Sequence, residues 1–364
     1  MGYTTADPLH APELKVVYFG TYERAYPRNA QVISCLRRAG VDVEEVHVSV
    51  WDDLREGWKA GPGRALRLAA AQARLATRKV NADAVIVGYP GHFDLPAARR
   101  AARGRPVVFN PLVSLADTLV ADRGRFRPGS LPARALERID RSAFGSADLL
   151  IADTEAHAHF FARLSGRDDV AVCFVGAEER LFHPSWQRPE RFTVLFVGKL
   201  IPLQGVETIL AAARLAPELP FRIVGSGQLE ALLADRPANV EHVPWVEYQL
   251  LPDEIAGAGC VLGIFAATPK AQRVIPNKVF QALATAAPVV TANTLAAREL
   301  LTDVESALLV PPGDADALAT ALRRLATEPE LTEAIAAGGR AVYERRASED
   351  VLGRRWRGLI ERLL

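Results

Sequence analysis

Cysteine is scarce in this chain: Cys35, Cys173 and Cys260 are the only three, scattered over 364 residues. They are too few and too dispersed for a disulfide framework or a cysteine-based metal site, and read as small buried hydrophobes. No apolar run reaches the roughly 18 residues that a membrane-spanning helix needs. The N-terminal stretch, with Asp7, Pro8 and Glu13, has neither a basic leader nor an apolar core. It does not read as a signal peptide; residues 1–13 are expected to be a disordered tail and the protein to be cytoplasmic. Short-period repeats and low-complexity tracts are absent, as is a Gly-x-Ser-x-Gly nucleophile elbow. A net charge of +1, with neither half a polycation, removes the electrostatic case for a nucleic-acid partner.

What is present is a rhythm of strand and helix. With 49% hydrophobic residues the chain is long enough for two domains, each with its own core. In the first half, strands are expected at Lys15–Phe19, Val43–Val48, Ala84–Val87, Val107–Phe109 and Leu149–Ile151, with helices at Asn29–Arg38 and Arg64–Lys79. In the second half, Phe192–Leu200 reads as a strand entering a loop, Ile201–Gly205 as that loop and Val206–Leu215 as a helix. Phe221–Val224, the Gly225-Ser226-Gly227 turn, a helix over Gln228–Ala234 and a strand over Val240–Trp245 continue the pattern. Such alternation predicts doubly wound parallel sheets. Residues 122–131 are the expected mobile loop, and residues 176–191 the expected linker. A dinucleotide fingerprint would need a third glycine where Glu230 stands, which weighs against an oxidoreductase.

One segment carries chemistry. Arg273 to Ala284 lies between the apolar strands Cys260–Phe265 and Pro288–Thr291, of the kind that parallel sheets bury on both faces. A helix is expected over Lys278–Ala286, with Pro276 in its first turn and the free N–H groups near Asn277 and Lys278 aimed at the strand ends. Two cations beside a helix start suit a phosphate. A surface basic pair capping a loop is the alternative.

Taken together, Val197-Gly198-Lys199 with Gln204-Gly205-Val206-Glu207, Val224-Gly225-Ser226-Gly227, Val274–Ala284 and Leu309–Asp314 resemble the retaining nucleotide-sugar glycosyltransferases of family 4. Val17–Tyr22, Tyr26–Asn29, Gly88–His92 and Asp153-Thr154 extend the resemblance over nearly the whole chain, toward a bacterial subgroup with a Pro-Asn-Lys motif. The resemblance implies an α/β chain of GT-B fold, two Rossmann-like doubly wound parallel-sheet domains facing across a cleft. Residues 1–183 would bind the acceptor and 184–349 the donor, with a crossover helix at 350–364 returning to the first domain on Trp356.

Two departures fall on polar contacts. The family usually has an Arg and a Lys in the first loop of the second domain, and here Lys199 and Gln204 stand there. It also has two glutamates eight positions apart, near the sugar and on the ribose, where this chain has Arg273 and Gln281. Gln281 retains an amide for the ribose hydroxyls. Arg273 is expected to replace the missing charge, making Lys199, Arg273 and Lys278 a relocated phosphate clamp.

Further donor contacts are expected from Gly198, Gly225, Gly227, Asn277, Trp245 and Val246. On the acceptor side the expectation falls on Tyr22, Arg28, Asn29, His92, Ser114 and Asp117, each after a strand's carboxyl end. His92 could bond a sugar hydroxyl or be tied to a loop carbonyl, and Arg28 could equally be a structural cap. His157 and His159 diverge on a helix and make no metal pair, and Asp153 is expected to cap that helix.

The implied reaction moves a hexose-type sugar, with retention and without metal or cofactor, from a nucleoside-diphosphate sugar serving as co-substrate. The acceptor hydroxyl would be on a glycan, a lipid-linked sugar or a small natural product. A non-transferring sugar-nucleotide binder or epimerase of the same fold is the alternative, favoured by the loss of both glutamates; a purely structural partner protein is a third reading. Arg64, Arg67, Arg74 and Arg78 form a helix face that could touch the inner membrane surface, but the helix is mostly alanine without an aromatic, which favours a solvated face.

Overall fold

The computed structural model describes residues 14–24, 26–50 and 62–364, so the tail expected at 1–13 lies outside the described residues. In the N-terminal domain, chain order runs β1 (Lys15–Gly20), α1 (Pro27–Arg38), β2 (Asp42–His47), α2 (Pro62–Ala76), β3 (Ala84–Val87), α3 (Leu95–Ala102), β4 (Val107–Phe109), α4 (Leu131–Ser146), β5 (Leu149–Ala152), α5 (Glu155–Ser165) and β6 (Val170–Val172). Its six strands are parallel, in the order β2-β1-β3-β4-β5-β6.

The C-terminal domain repeats the plan. It contains β7 (Val194–Val197), α6 (Val206–Leu215), β8 (Phe221–Val224), β9 (Val240–Val243), α7 (Leu251–Ala256), β10 (Cys260–Leu262), α8 (Asn277–Thr285), β11 (Val289–Ala292), α9 (Leu295–Leu300), β12 (Leu308–Val310), α10 (Ala315–Thr327) and α11 (Pro329–Arg346). The parallel order is β12-β11-β10-β7-β8-β9. Strands β3, β4, β5, β10 and β11 are buried throughout, because their apolar runs pack helices on both faces. In each sheet the winding reverses beside the first strand: between β1 and β3, and between β7 and β10. Ligands of open α/β sheets bind at such reversals, outside the carboxyl ends of the strands.

Several boundaries differ from the expectation. The helix expected over Gln228–Ala234 is a single 3-10 turn, Glu230–Leu233. The strand expected to reach Phe265 ends at Leu262, where the ladder breaks because the Ile264 N–H donates to the Thr291 hydroxyl (3.2 Å) rather than to a β11 carbonyl. Pro276 sits just before α8 rather than in its first turn; its extended ψ of 150° ends the incoming loop. Asp153 does not cap α5. The Thr154 hydroxyl accepts the His157 N–H (3.0 Å), and Asp153 Oδ1 faces His157 Nδ1 at 2.5 Å.

A last helix, α12 (Glu349–Glu361), packs on α1. Close approach depends on Gly353, where a Cβ would lie 2.3 Å from the Cys35 carbonyl oxygen. Ser34 donates to Glu349 (2.7 Å) and Arg38 to Asp350 (2.6 and 3.1 Å). Trp356 is fully buried, with the Arg28 guanidinium 5.8 Å from its ring centroid. Trp356→Ala is expected to cost about 3–5 kcal/mol, the usual penalty for deleting a buried aromatic. Urea denaturation checks this, and a loss below about 1 kcal/mol contradicts the anchoring role.

Candidate active site

The carboxyl ends of β7, β8 and β10 meet the start of α8. Gly198, Gly225 and Gly227 hold φ of +153°, +140° and +154°, and all three are pressed into this junction. A Cβ on Gly225 would sit 1.9 Å from the Gly198 carbonyl oxygen, and one on Gly227 would be 2.7 Å from that of Leu200. These glycines therefore let two loops lie on each other, a role distinct from the direct nucleotide approach expected of Gly225 and Gly227. At Gly198 the missing side chain also leaves room for Lys278, whose Nζ lies 3.4 Å from where a Cβ would be.

Lys278 stands in the first turn of α8 and is 5% exposed. Its Nζ donates to Gln204 Oε1 at 2.6 Å and lies 3.5 Å from the centroid of the Phe196 ring. Among the described residues no carboxylate lies within ion-pair distance of it. Burial alone pushes this ammonium well below the ordinary lysine range, with no opposing charge to restore it. Beside it the Val279 N–H turns back to the Pro276 carbonyl (2.9 Å), while the N–H groups of Asn277 and Lys278 find no acceptor among the described residues. Asn277 is half-buried at the same helix start.

Other expected donor residues lie on the loops after β7 and β9 and on α8. Lys199 stands between half-buried Gly198 and buried Leu200 with its own side chain exposed, and the protein atoms crowded around it lower its pKa, opposed by Glu23 and reinforced by Arg123. Gln281, one turn along α8, is buried with its amide 3.4 Å from the Tyr248 hydroxyl. Trp245 is 60% exposed beyond β9, and Val246 is half-buried.

Arg273 does not join a phosphate clamp. Its Nη2 donates to Asp117 Oδ1 (2.7 Å), its guanidinium carbon lies 3.9 Å from the Phe160 ring centroid, and its carbonyl accepts the Thr154 hydroxyl (2.5 Å). The reason is topological: the 3-10 turn Ala271–Arg273 reaches across to the π-helical turn Asp117–Asp122 of the other domain. Lys270 joins it there, with Nζ 2.9 Å from Thr118 Oγ1, 3.4 Å from Asp122 Oδ2 and 3.8 Å from Asp117 Oδ2. Asp122 Oδ1 also accepts the Leu203 N–H (3.1 Å). Asp117 is thus half of an interdomain ionic latch, not an acceptor contact. Asp122, expected to open a mobile loop, is buried in it.

The remaining acceptor-side residues are spent on structure. Tyr22 is buried and donates to Glu45 (2.8 Å). Arg28 is fully buried, held by Asn110 Oδ1 and the carbonyls of Cys173 and Phe174, so the structural-cap alternative holds. Asn29 ties Tyr18, Glu23 and Tyr89 together. Ser114 donates to the buried Asp140 (2.6 Å). His92 is 4% exposed; its Nδ1 is bonded to the Pro90 carbonyl and its Nε2 lies 3.2 Å from Asp140 Oδ1, so it is tied to its loop rather than aimed into the cleft. A residue the sequence did not single out, Asp94, closes the loop after β1. It accepts from Thr21 and Gln72, and burial pushes its carboxyl up to about 6.

Two surface depressions of about 360 and 460 Å³, touching Thr193, Phe221 and Val240 or Thr193, Arg222 and Asp253, open at the amino ends of β7 to β9. They lie at the opposite end of the sheet from Lys278. Among the described residues no His, Cys, Asp and Glu group is arranged to hold a metal ion, and no helix is long and apolar enough to cross a membrane.

Residues 191–328 match the family described as glycosyl transferases group 1. A curated relative, alpha-D-kanosaminyltransferase of Streptomyces kanamyceticus, is 26% identical over 232 residues, covering 60% of this chain. The matched stretch spans 53% of that relative's length. Among solved structures, sucrose-phosphate synthase of Thermosynechococcus elongatus superposes with a TM-score of 0.75 at 16% identity, covering 97% of this chain and 99% of the other. Anabaena HepE in complex with UDP-glucose superposes with a TM-score of 0.69, also at 16% identity, covering 96% and 100%. Together with the two parallel sheets, these likenesses show the GT-B fold.

Two expectations follow from the geometry. Because the latch is ionic and mostly shielded from solvent, Asp117→Asn leaves Arg273 short of its charged partner and should loosen the closed arrangement. Small-angle scattering should then show a larger radius of gyration for the variant than for the wild type; identical profiles contradict a latch. The lowered pKa of Lys278 means that, between its depressed value and the ordinary 10.5, the unfolded chain binds a proton that the folded chain resists. Stability from this group therefore rises with pH through that window and is forfeited below it. Lys278→Met is expected to raise the stability of the ligand-free protein by about 1 kcal/mol or more. A lowered thermal midpoint contradicts the uncompensated charge.

Proposed function

We propose that the protein is a retaining family 4 glycosyltransferase that moves a hexose-type sugar from a nucleoside-diphosphate sugar to an acceptor hydroxyl, without a metal. The observation that carries this reading is the buried Lys278 side chain, held at a helix start with no carboxylate among the described residues to neutralise it. A diphosphate supplies the missing charge, and the N–H groups of Asn277 and Lys278 supply further donors. As the glycosidic bond breaks, negative charge grows on the leaving diphosphate, and cations already fixed in a desolvated cleft stabilise it without reorganising. Lys199 and the helix start of α8 act in the same sense, which is why we assign the reaction no metal.

The loops after β8 and β9, with Trp245 and Val246, are assigned to the base, and the Gln281–Tyr248 pair to the ribose. The Pro-Asn-Lys motif gives Lys278 its place at the start of α8. Retention is assigned through front-side attack, with the leaving phosphate helping to deprotonate the acceptor; this asks for no protein nucleophile. The acceptor enters from the N-terminal domain and is a glycan, a lipid-linked sugar or a small natural product. The match to an alpha-D-kanosaminyltransferase, and the likeness to a structure solved with UDP-glucose, support a sugar nucleotide as donor. We divide the chain into residues 1–183 and 184–349, with 350–364 returning to the first domain.

Calorimetric titration of UDP, GDP, ADP and dTDP in EDTA tests the reading. One of them should bind, and Lys278→Met should weaken that binding about a hundredfold, the effect of losing a charge-assisted contact worth roughly 3 kcal/mol. Binding that requires a divalent metal, or that survives Lys278→Met, contradicts it.

A further inference from the structure

The donor site as assigned has two cations on its own domain, Lys199 and Lys278, and the third that the sequence nominates, Arg273, is held by Asp117. A different arginine stands at the opening. Arg123 belongs to the N-terminal domain, immediately after the turn Asp117–Asp122, and its backbone is fixed against both donor loops. The preceding residue, Asp122, accepts the N–H of Leu203 in the loop after β7 (3.1 Å), and the Arg123 carbonyl accepts from Gln228 Nε2 in the loop after β8 (3.3 Å).

The side chain is not consumed by these contacts. Its Nε is buried without a hydrogen-bond partner, 3.8 Å from Asp122 Oδ2, and that carboxylate is already engaged by Lys270. Its backbone contacts set it beside the loops after β7 and β8, and its charge acts on Lys199, Lys270 and Tyr26. The carboxylates facing this group of cations are Glu23, Asp117 and Asp122, and the last two are committed to the latch. Lys199 and Arg123, one from each domain, thus border the loops after β7 and β8, and the loop after β7 packs on Lys278 through Gly198 and Gln204.

We propose that Arg123, delivered by the N-terminal domain, binds the donor diphosphate together with Lys199 and Lys278, so that the anion site is complete only when the two domains are closed. This rests on the nucleotide-sugar reading and adds to it a residue that makes donor binding and closure one event. A guanidinium suits the task because its planar fork of donors can hold two phosphate oxygens at once.

The alternative is that residue 123 serves only as an interdomain strut through its backbone. Arg123→Ala separates the two, because the carbonyl contact to Gln228 survives the substitution. Titration of UDP, GDP, ADP and dTDP against wild type, Arg123→Ala, Arg123→Lys and Lys278→Met is the experiment. For whichever diphosphate the wild type binds, Arg123→Ala is expected to raise Kd about tenfold, with Arg123→Lys recovering part of the loss. An Arg123→Ala protein that binds like wild type while Lys278→Met does not overturns this inference and leaves the donor reading standing. A wild type that binds none of the four overturns both.

Discussion

A buried lysine head group, with no carboxylate beside it among the described residues, is the constraint around which the start of α8 is built. An ammonium loses several kcal/mol of hydration on burial, and a hydrogen bond to one amide oxygen with one aromatic face returns only part of that. In Lys278 the cost is sustained by its surroundings: Gly198 leaves the space, Gln204 the acceptor, Phe196 the ring, and the fully packed α8 fixes the backbone. Such a residue is costly as structure and useful as a receptor, because an arriving anion recovers what folding gave up.

The second domain's contribution is closure. Asp117 and Asp122 from one side, and Lys270 and Arg273 from the other, hold the cleft shut by ion pairs that are mostly shielded from solvent. Under the proposed function, closure held by these pairs would shield a bound sugar nucleotide from hydrolysis. It also spends the very arginine that local sequence puts forward for phosphate. The same turn that supplies Asp122 to the latch carries Arg123 to the loops after β7 and β8, so the proposed anion contact and closure would share one segment of chain.

The fold was legible in the sequence because it is written in long local signals. Apolar runs such as Leu149–Ile151 and Val289-Val290 read as strands buried on both faces because they are short and alternate with helical segments. Gly198, Gln204 and Lys278 were legible together because one motif and one loop carry them. Arg273 misled because its partner lies 156 residues away, and no local pattern announces a pairing across a cleft. Tyr22, Arg28, Asn29, His92 and Ser114 misled for another reason. A strand's carboxyl end is where ligands bind, but it is also where loops must satisfy their own buried polar groups, and here Glu45, Asn110 and Asp140 claim those side chains. Arg123 had no signal of its own among the arginines of 122–131.

The central claim is that the Lys278 charge is incomplete without an anion, and proton linkage tests it most directly. Calorimetry of nucleoside diphosphate binding at about pH 9, in buffers of different ionisation enthalpy, counts the protons taken up, since a depressed lysine pKa must rise toward its ordinary value when an anion arrives. The account predicts net proton uptake that disappears in Lys278→Met. Binding with no uptake, or uptake unchanged in that variant, would show that Lys278 is not the group that meets the phosphate.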